Sequence, residues 1–83
     1  MEIEIVTLKV NVYIKKHLLI NKWKKAIALF KTNFKHPSLN TELLEPKEEM
    51  IYSFRIDKKY RALFFVRKDG TIEVFQITNH YKK

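Results

Sequence analysis

The sequence predicts an α+β domain in which two N-terminal helices pack on a four-stranded, mainly antiparallel sheet. Three patterns carry that expectation. Trp23, Ala26, Ile27 and Phe30 form an apolar stripe at helical spacing. Tyr52, Phe54 and Ile56, then Tyr60, Ala62, Phe64 and Val66, alternate with a period of two on either side of Asp57-Lys58-Lys59. Asp69-Gly70 stands between two further alternating runs, the mark of a hairpin. The length of 83 residues suits one domain, 1–83, with a modest core.

Taken in order, residues 2–8 (Glu-Ile-Glu-Ile-Val-Thr-Leu) alternate as a strand, with Ile3 and Ile5 inward. Ile14, His17 and Leu18 fall at helical spacing within residues 10–19, a short helix. Asn21 is of the right type to cap a second helix over 22–33, whose stripe extends towards Phe34. Residues 33–50 are irregular and broken by Pro37 and Pro46. Two strands follow, and a three-residue connection between them sets Arg55 directly opposite Arg61. If Asp69 and Gly70 are the whole second loop, as a type I′ turn, Phe64 pairs with Phe75, Ala62 with Ile77 and Arg61 with Thr78. His80 then lies diagonal to Arg61. In this register Leu63, Phe65, Ile72 and Val74 form an exposed apolar patch.

Composition narrows the functional classes. Seventeen Lys plus Arg against nine Asp plus Glu give a formal charge of +8, which favours polyanionic partners, nucleic acid first and anionic membrane second. The absence of cysteine excludes disulfides and thiolate metal sites. No zinc spacing, phosphate loop or dinucleotide fingerprint occurs, and no cofactor is expected. No apolar run approaches the roughly 20 residues of a membrane span, and the start lacks signal-peptide features, so a soluble cytoplasmic protein is expected. Lys22, Lys24, Lys25 and Lys31 are open to two readings, an extension of a basic surface or the solvated side of an amphipathic helix.

The residues that carry chemistry gather towards the end. Like charges directly opposed destabilise a strand ladder, and an anion lying across Arg55 and Arg61 would relieve the repulsion, so the pair reads as a phosphate clamp. His80 is a proton donor or acceptor near neutral pH. Tyr81 can stack on a base or orient a phosphate. Glu42, Glu45, Glu48 and Glu49 cluster in the loop leading to the Arg55 strand, close enough for one to serve as a base.

The order strand, two helices, three-stranded meander, with His36-Pro37-Ser38-Leu39 ahead of the sheet and Tyr52-Ser-Phe-Arg-Ile-Asp-Lys-Lys-Tyr-Arg-Ala-Leu-Phe64 in its first hairpin, resembles the RelE/ParE superfamily of toxins from toxin-antitoxin systems. Asn79-His80-Tyr81 looks like the closing His-Tyr of the YoeB branch, whose members cleave mRNA in the ribosomal A site. The resemblance implies a RelE-like, microbial-RNase-type fold and a metal-independent endoribonuclease. In it Glu42 would take the proton of an RNA 2′-hydroxyl, Arg55 and Arg61 would stabilise the phosphoryl charge, His80 would protonate the leaving oxygen and Tyr81 would hold the nucleotide. Glu45 stands near enough in the loop to replace Glu42 in that alignment. The resemblance also implies a cognate antitoxin as partner, with operator DNA bound through that antitoxin. Two alternatives share the fold: a ParE-like toxin that inhibits DNA gyrase without chemistry of its own, and an inactive relative that only binds its antitoxin.

Overall fold

The computed structural model describes residues 3–79, and side chains from Val6 onward. The chain runs β1 (Ile3–Val6), α1 (Leu8–Lys16), α2 (Ile20–Thr32), a 3₁₀ turn (Pro37–Leu39), β2 (Glu42–Leu43), a second 3₁₀ turn (Lys47–Glu49), β3 (Tyr52–Arg55), β4 (Arg61–Val66) and β5 (Ile72–Thr78). One sheet holds all five strands in the order β1-β5-β4-β3-β2. It is antiparallel except at the β1 edge, where β1 runs parallel to β5. The four expected strands are present, and β2 adds a fifth of two residues. Its brevity explains why no alternation announced it. The inward setting of Ile3 and Ile5 lies outside the described side chains. No helix among the described residues is long and apolar enough to cross a membrane.

Both helices start two residues earlier than their patterns indicate. Thr7 caps α1, its hydroxyl accepting from the Val10 amide at 3.4 Å. At the other end Leu18 takes the left-handed conformation (φ 56°), so that the Leu19 amide donates to Ile14 O at 2.9 Å and the Leu18 amide to Lys15 O at 3.2 Å. This 6→1 and 5→2 pair is a Schellman turn, which usually places glycine where Leu18 stands. The turn feeds straight into α2, with Leu19 rather than Asn21 at its N-cap and no side-chain cap bond. Leu19 is buried in the joint and Leu18 is 88% exposed. A β-carbon in the left-handed region costs roughly 1–2 kcal/mol, and the Leu18 side chain buries little in return. Leu18→Gly is therefore expected to raise stability by about 0.5–1 kcal/mol after the entropy of the unfolded glycine is counted. A midpoint several degrees higher in thermal unfolding would show it; an unchanged or lower one would mean that the turn stores no strain.

The stripe of α2 does what its spacing predicts. Ala26 and Phe30 are buried, and Trp23 and Ile27 are packed against the core. Phe30 lies against Phe54 at 4.8 Å between ring centroids and meets Phe64 edge-on at 5.3 Å, while Trp23 stacks over Phe54 at 6.1 Å. From α1, Val10 and Ile14 reach the same core. His17 is half-buried and stacks on Tyr13 at 4.1 Å.

The second hairpin departs from expectation in a way that reassigns a whole strand face. Its loop is not two residues. The Gly70 amide donates to Arg67 O at 2.9 Å and the Arg67 amide to Thr71 O at 2.8 Å, with Gly70 at φ 89°. This is a type I turn over Arg67–Gly70 closed by a left-handed glycine, the three-residue hairpin loop. The extra residue shifts the register by one, pairing Phe64 with Val74 instead of Phe75, and Val66 with Ile72. A bulge between Leu63 and Phe64 then restores the register, so Ala62 still meets Ile77 and Arg61 still meets Thr78. Because one residue of slip exchanges the faces of a strand, Ile72 and Val74 point into the core and are fully buried. The exposed patch predicted from Leu63, Phe65, Ile72 and Val74 is thereby corrected. Phe65 and Phe75 instead lie 5.8 Å apart between centroids, beside exposed Met50 and Val66.

Candidate active site

The first hairpin is built as its sequence indicates. Asp57 Oδ1 accepts from the Lys59 and Tyr60 amides, both at 2.8 Å, and the Ile56 amide donates to Tyr60 O at 2.9 Å. The Asp57 side chain makes the turn, because a short acceptor can satisfy amides two and three residues on. Burial pushes the Asp57 carboxyl up, but the hydrogen bond from Lys22 and those two amides outweigh it and hold the carboxyl below its ordinary value. The Lys22 ammonium reaches Asp57 Oδ2 at 2.9 Å and ties α2 to the turn. With the loop closed this way, Arg55 and Arg61 are cross-strand partners.

The two arginines have opposite environments. Arg55 is exposed, whereas Arg61 retains only 5% of its accessible surface. The Arg61 guanidinium donates from Nε and Nη2 to Ser53 Oγ at 3.0 and 2.8 Å, and from Nη2 to the carbonyl oxygen of Asn40 at 2.5 Å. Ser53 is itself fully buried. Burial draws the Arg61 pKa down, the Glu42 carboxylate pushes it up, and the Arg55 charge draws it down again. The network does not appear in the alternation pattern, which reports the face of a side chain but not what folds over that face. Its one legible sign was Ser53, a small polar residue two positions before Arg55 on the same strand face.

Glu42 reaches the same place by way of β2. It pairs with Ser53 in the ladder, so Glu42, Ser53, Arg55 and Arg61 project to one face of the sheet. It is half-buried. Glu45, Glu48 and Glu49 sit exposed in the β2–β3 connection, which begins after the Leu44 amide bonds Ile51 O at 2.8 Å and contains the cis peptide Glu45–Pro46. Of the four glutamates, Glu42 is the one whose carboxylate acts electrostatically on Arg61. Thr78 completes the row on β5 opposite Arg61. His80 and Tyr81 lie outside the described residues. Among the described residues, no group of three or more His, Asp or Glu is arranged to hold a metal ion.

A carboxylate, a buried guanidinium and an exposed guanidinium on one sheet face make an arrangement chemically capable of holding an anion and accepting a proton. Arg61 is held rigidly, Arg55 is open to an incoming anion, and Glu42 balances part of their charge. The fold and this row of residues define an α+β protein in which one face of a mainly antiparallel sheet carries paired basic and acidic side chains. The chain is similar to a solved structure, a YoeB/ParE toxin from Agrobacterium tumefaciens, with a TM-score of 0.70 and 21% identity over 98% of this chain and 100% of that one. That likeness shows the shared fold. No protein-family model matches the chain, and no curated protein matches it by sequence.

Proposed function

We propose that the protein is the toxin of a toxin-antitoxin system and acts as a ribosome-dependent mRNA endoribonuclease. The observation that carries this reading is the cross-strand pair of Arg55 and Arg61 with Glu42 beside it on one face. The toxin assignment is further supported by the shared fold.

In the proposed reaction, Glu42 accepts the proton of a 2′-hydroxyl, whose oxygen attacks the adjacent phosphorus. The O2′–P bond forms as the P–O5′ bond breaks. Arg55 faces the anion directly and neutralises charge on the non-bridging oxygens, while Arg61 supports the field from behind with a guanidinium fixed by Ser53 and Asn40. His80 donates a proton to O5′, and Tyr81 stacks on the nucleotide. The products are a 2′,3′-cyclic phosphate and a 5′-hydroxyl. The nucleophile is internal to the substrate, so the protein needs to supply orientation, proton transfer and charge stabilisation.

The test is induced expression in a host cell, with mRNA 5′ ends mapped on ribosomes. Wild type is expected to arrest growth and to cut within A-site codons, leaving 5′-hydroxyl ends. Glu42→Gln and His80→Ala are each expected to lower cutting by about 10²–10⁴-fold, the usual range for a general base or acid. Arrest by wild type and both variants alike, with mRNA intact, would remove the nuclease reading.

One observation favours a second reading. Arg61 is buried against the protein's own Ser53 and Asn40, so only one of the two arginines is exposed to a partner. A gyrase-binding toxin of the ParE type needs neither a second arginine open to a phosphate nor any proton transfer. Altered DNA supercoiling with intact mRNA would select it. In either case the partner is an antitoxin, and co-expression of the adjacent reading frame is the direct check.

A further inference from the structure

Beside Glu42 the chain leaves a recess of about 600 Å3 at the β2 edge of the sheet. Phe34 and Tyr52, both half-buried, give it two aromatic walls, and Lys35, His36, Thr41 and Glu42 stand around it. A smaller apolar extension of about 140 Å3 continues from Phe34, Thr41 and Tyr52 towards Phe64 and Val66. The aromatic walls are held firm. Tyr52 stacks on Phe64 at 5.4 Å and 18°, and the Thr41 hydroxyl donates to Phe34 O at 2.8 Å, which closes the segment that carries both residues. The polar groups are also oriented. His36 Nδ1 accepts from the Ser38 amide at 3.1 Å, which leaves Nε2 as the ring nitrogen available for a ligand, and the Lys35 ammonium lies 5.8 Å from the centre of the Phe34 ring. The recess is joined to the arginine pair through Asn40, which lines it and whose carbonyl receives the Arg61 guanidinium.

We propose that this recess is a nucleobase subsite, in which a base stacks against Phe34 and Tyr52 while Lys35 meets the adjoining backbone phosphate. The proposal rests on the nuclease reading for its choice of RNA as the strand. Flat π-faces with a cation at the rim fit a nucleotide better than an aliphatic or an acidic ligand, since every base offers a face to stack and every link carries a negative charge. A small apolar molecule would find a carboxylate, an imidazole and an ammonium at the mouth. An acidic peptide would meet the Glu42 carboxylate. A base can instead present donors to that carboxylate.

The test uses the full chain and 2′-O-methyl trinucleotides, which lack the attacking hydroxyl, with each of the four bases at the centre and one oligomer abasic there. Amide resonances of Phe34, Lys35, Thr41 and Glu42 are expected to shift with at least one of the base-containing oligomers and not with the abasic one. Tyr52→Leu should weaken the base-containing complex by about 5–100-fold, the range for loss of one stacking contact, and leave the abasic complex unchanged. Tyr52→Phe should keep the affinity. Lys35 is exposed and outside the core, so Lys35→Ala should fold normally, weaken all oligomers alike and reduce the slope of log affinity against log salt by about 1. Equal binding of base-containing and abasic oligomers, or shifts confined to Arg55 and its neighbours, would overturn the subsite. Cutting of mRNA with that outcome would leave the nuclease reading standing; base-dependent binding at Phe34 and Thr41 without any cutting would remove the nuclease reading and keep the recess as a nucleotide site.

Discussion

Arg61→Ala is expected to destabilise the fold by about 3 kcal/mol or more, because each buried polar group left without its partner costs about 1–3 kcal/mol. The substitution strips donors from Ser53 Oγ and from the Asn40 carbonyl, and it empties a site that is only 5% exposed. Arg61→Lys should recover little. A single ammonium has no planar fork with which to serve a strand hydroxyl and a loop carbonyl together. Arg55→Ala is the informative contrast. Arg55 is exposed and its truncation removes a like charge facing Arg61, so the unfolding free energy from urea titration should stay within about 0.5 kcal/mol of wild type. If the proposed nuclease reading holds, cutting should fall by about 10²–10³-fold, the cost of losing one preorganised charge-stabilising donor. The two variants therefore separate the structural role of Arg61 from the role proposed for Arg55. An Arg61→Ala protein as stable as wild type would show that the Ser53–Asn40 network contributes nothing to folding. A fully active Arg55→Ala protein would take the exposed guanidinium out of the chemistry.

Phe30→Ala should have the largest effect on stability, about 3–5 kcal/mol, the usual cost of truncating a fully buried aromatic residue. Phe30 joins α2 to the sheet through Phe54 at 4.8 Å and Phe64 at 5.3 Å, and it also meets Phe34 at 6.3 Å. The void would open where a helix rests on two strands, so the surroundings cannot collapse into it without moving an element. Small domains are held by about 5–15 kcal/mol in total, and such a loss leaves little margin. Phe30→Leu, which keeps most of the volume, should cost less than about 1.5 kcal/mol. Urea unfolding of the three proteins is the measurement; a Phe30→Ala loss below 1 kcal/mol would place the core's centre elsewhere. The same variant is expected to loosen Phe34, and with it the recess beside Glu42.

These expectations show which level of organisation each residue answers to. Amphipathic spacing along α2 was readable because a helix on a sheet must bury one stripe, and Ala26 and Phe30 are buried where the period puts them. The Arg55–Arg61 pairing was readable because a short loop with an aspartate turn leaves one register between two strongly alternating strands. The helix starts were less so, since the capping Thr7 falls inside an alternating run that reads as strand, and the left-handed Leu18 is of a type that advertises no such turn.

What the chain's order of residues determined by itself was therefore local and periodic: which segments are helix or long strand, which face of α2 is apolar, and that two arginines oppose each other across a hairpin. Tertiary structure decided three things that no local pattern carries. It gave the second hairpin one more loop residue and a compensating bulge, which turned Ile72 and Val74 from surface to core. It added β2, two residues long, and so brought Glu42 opposite Ser53. And it folded the Asn40 backbone over Arg61, burying one arginine of the pair and leaving the other exposed. The reason is common to all three. Which face of a strand is buried, how an edge pairs and what covers a polar side chain are set by hydrogen bonds and packing between segments apart in the chain, and those are settled only when the layers close on one another.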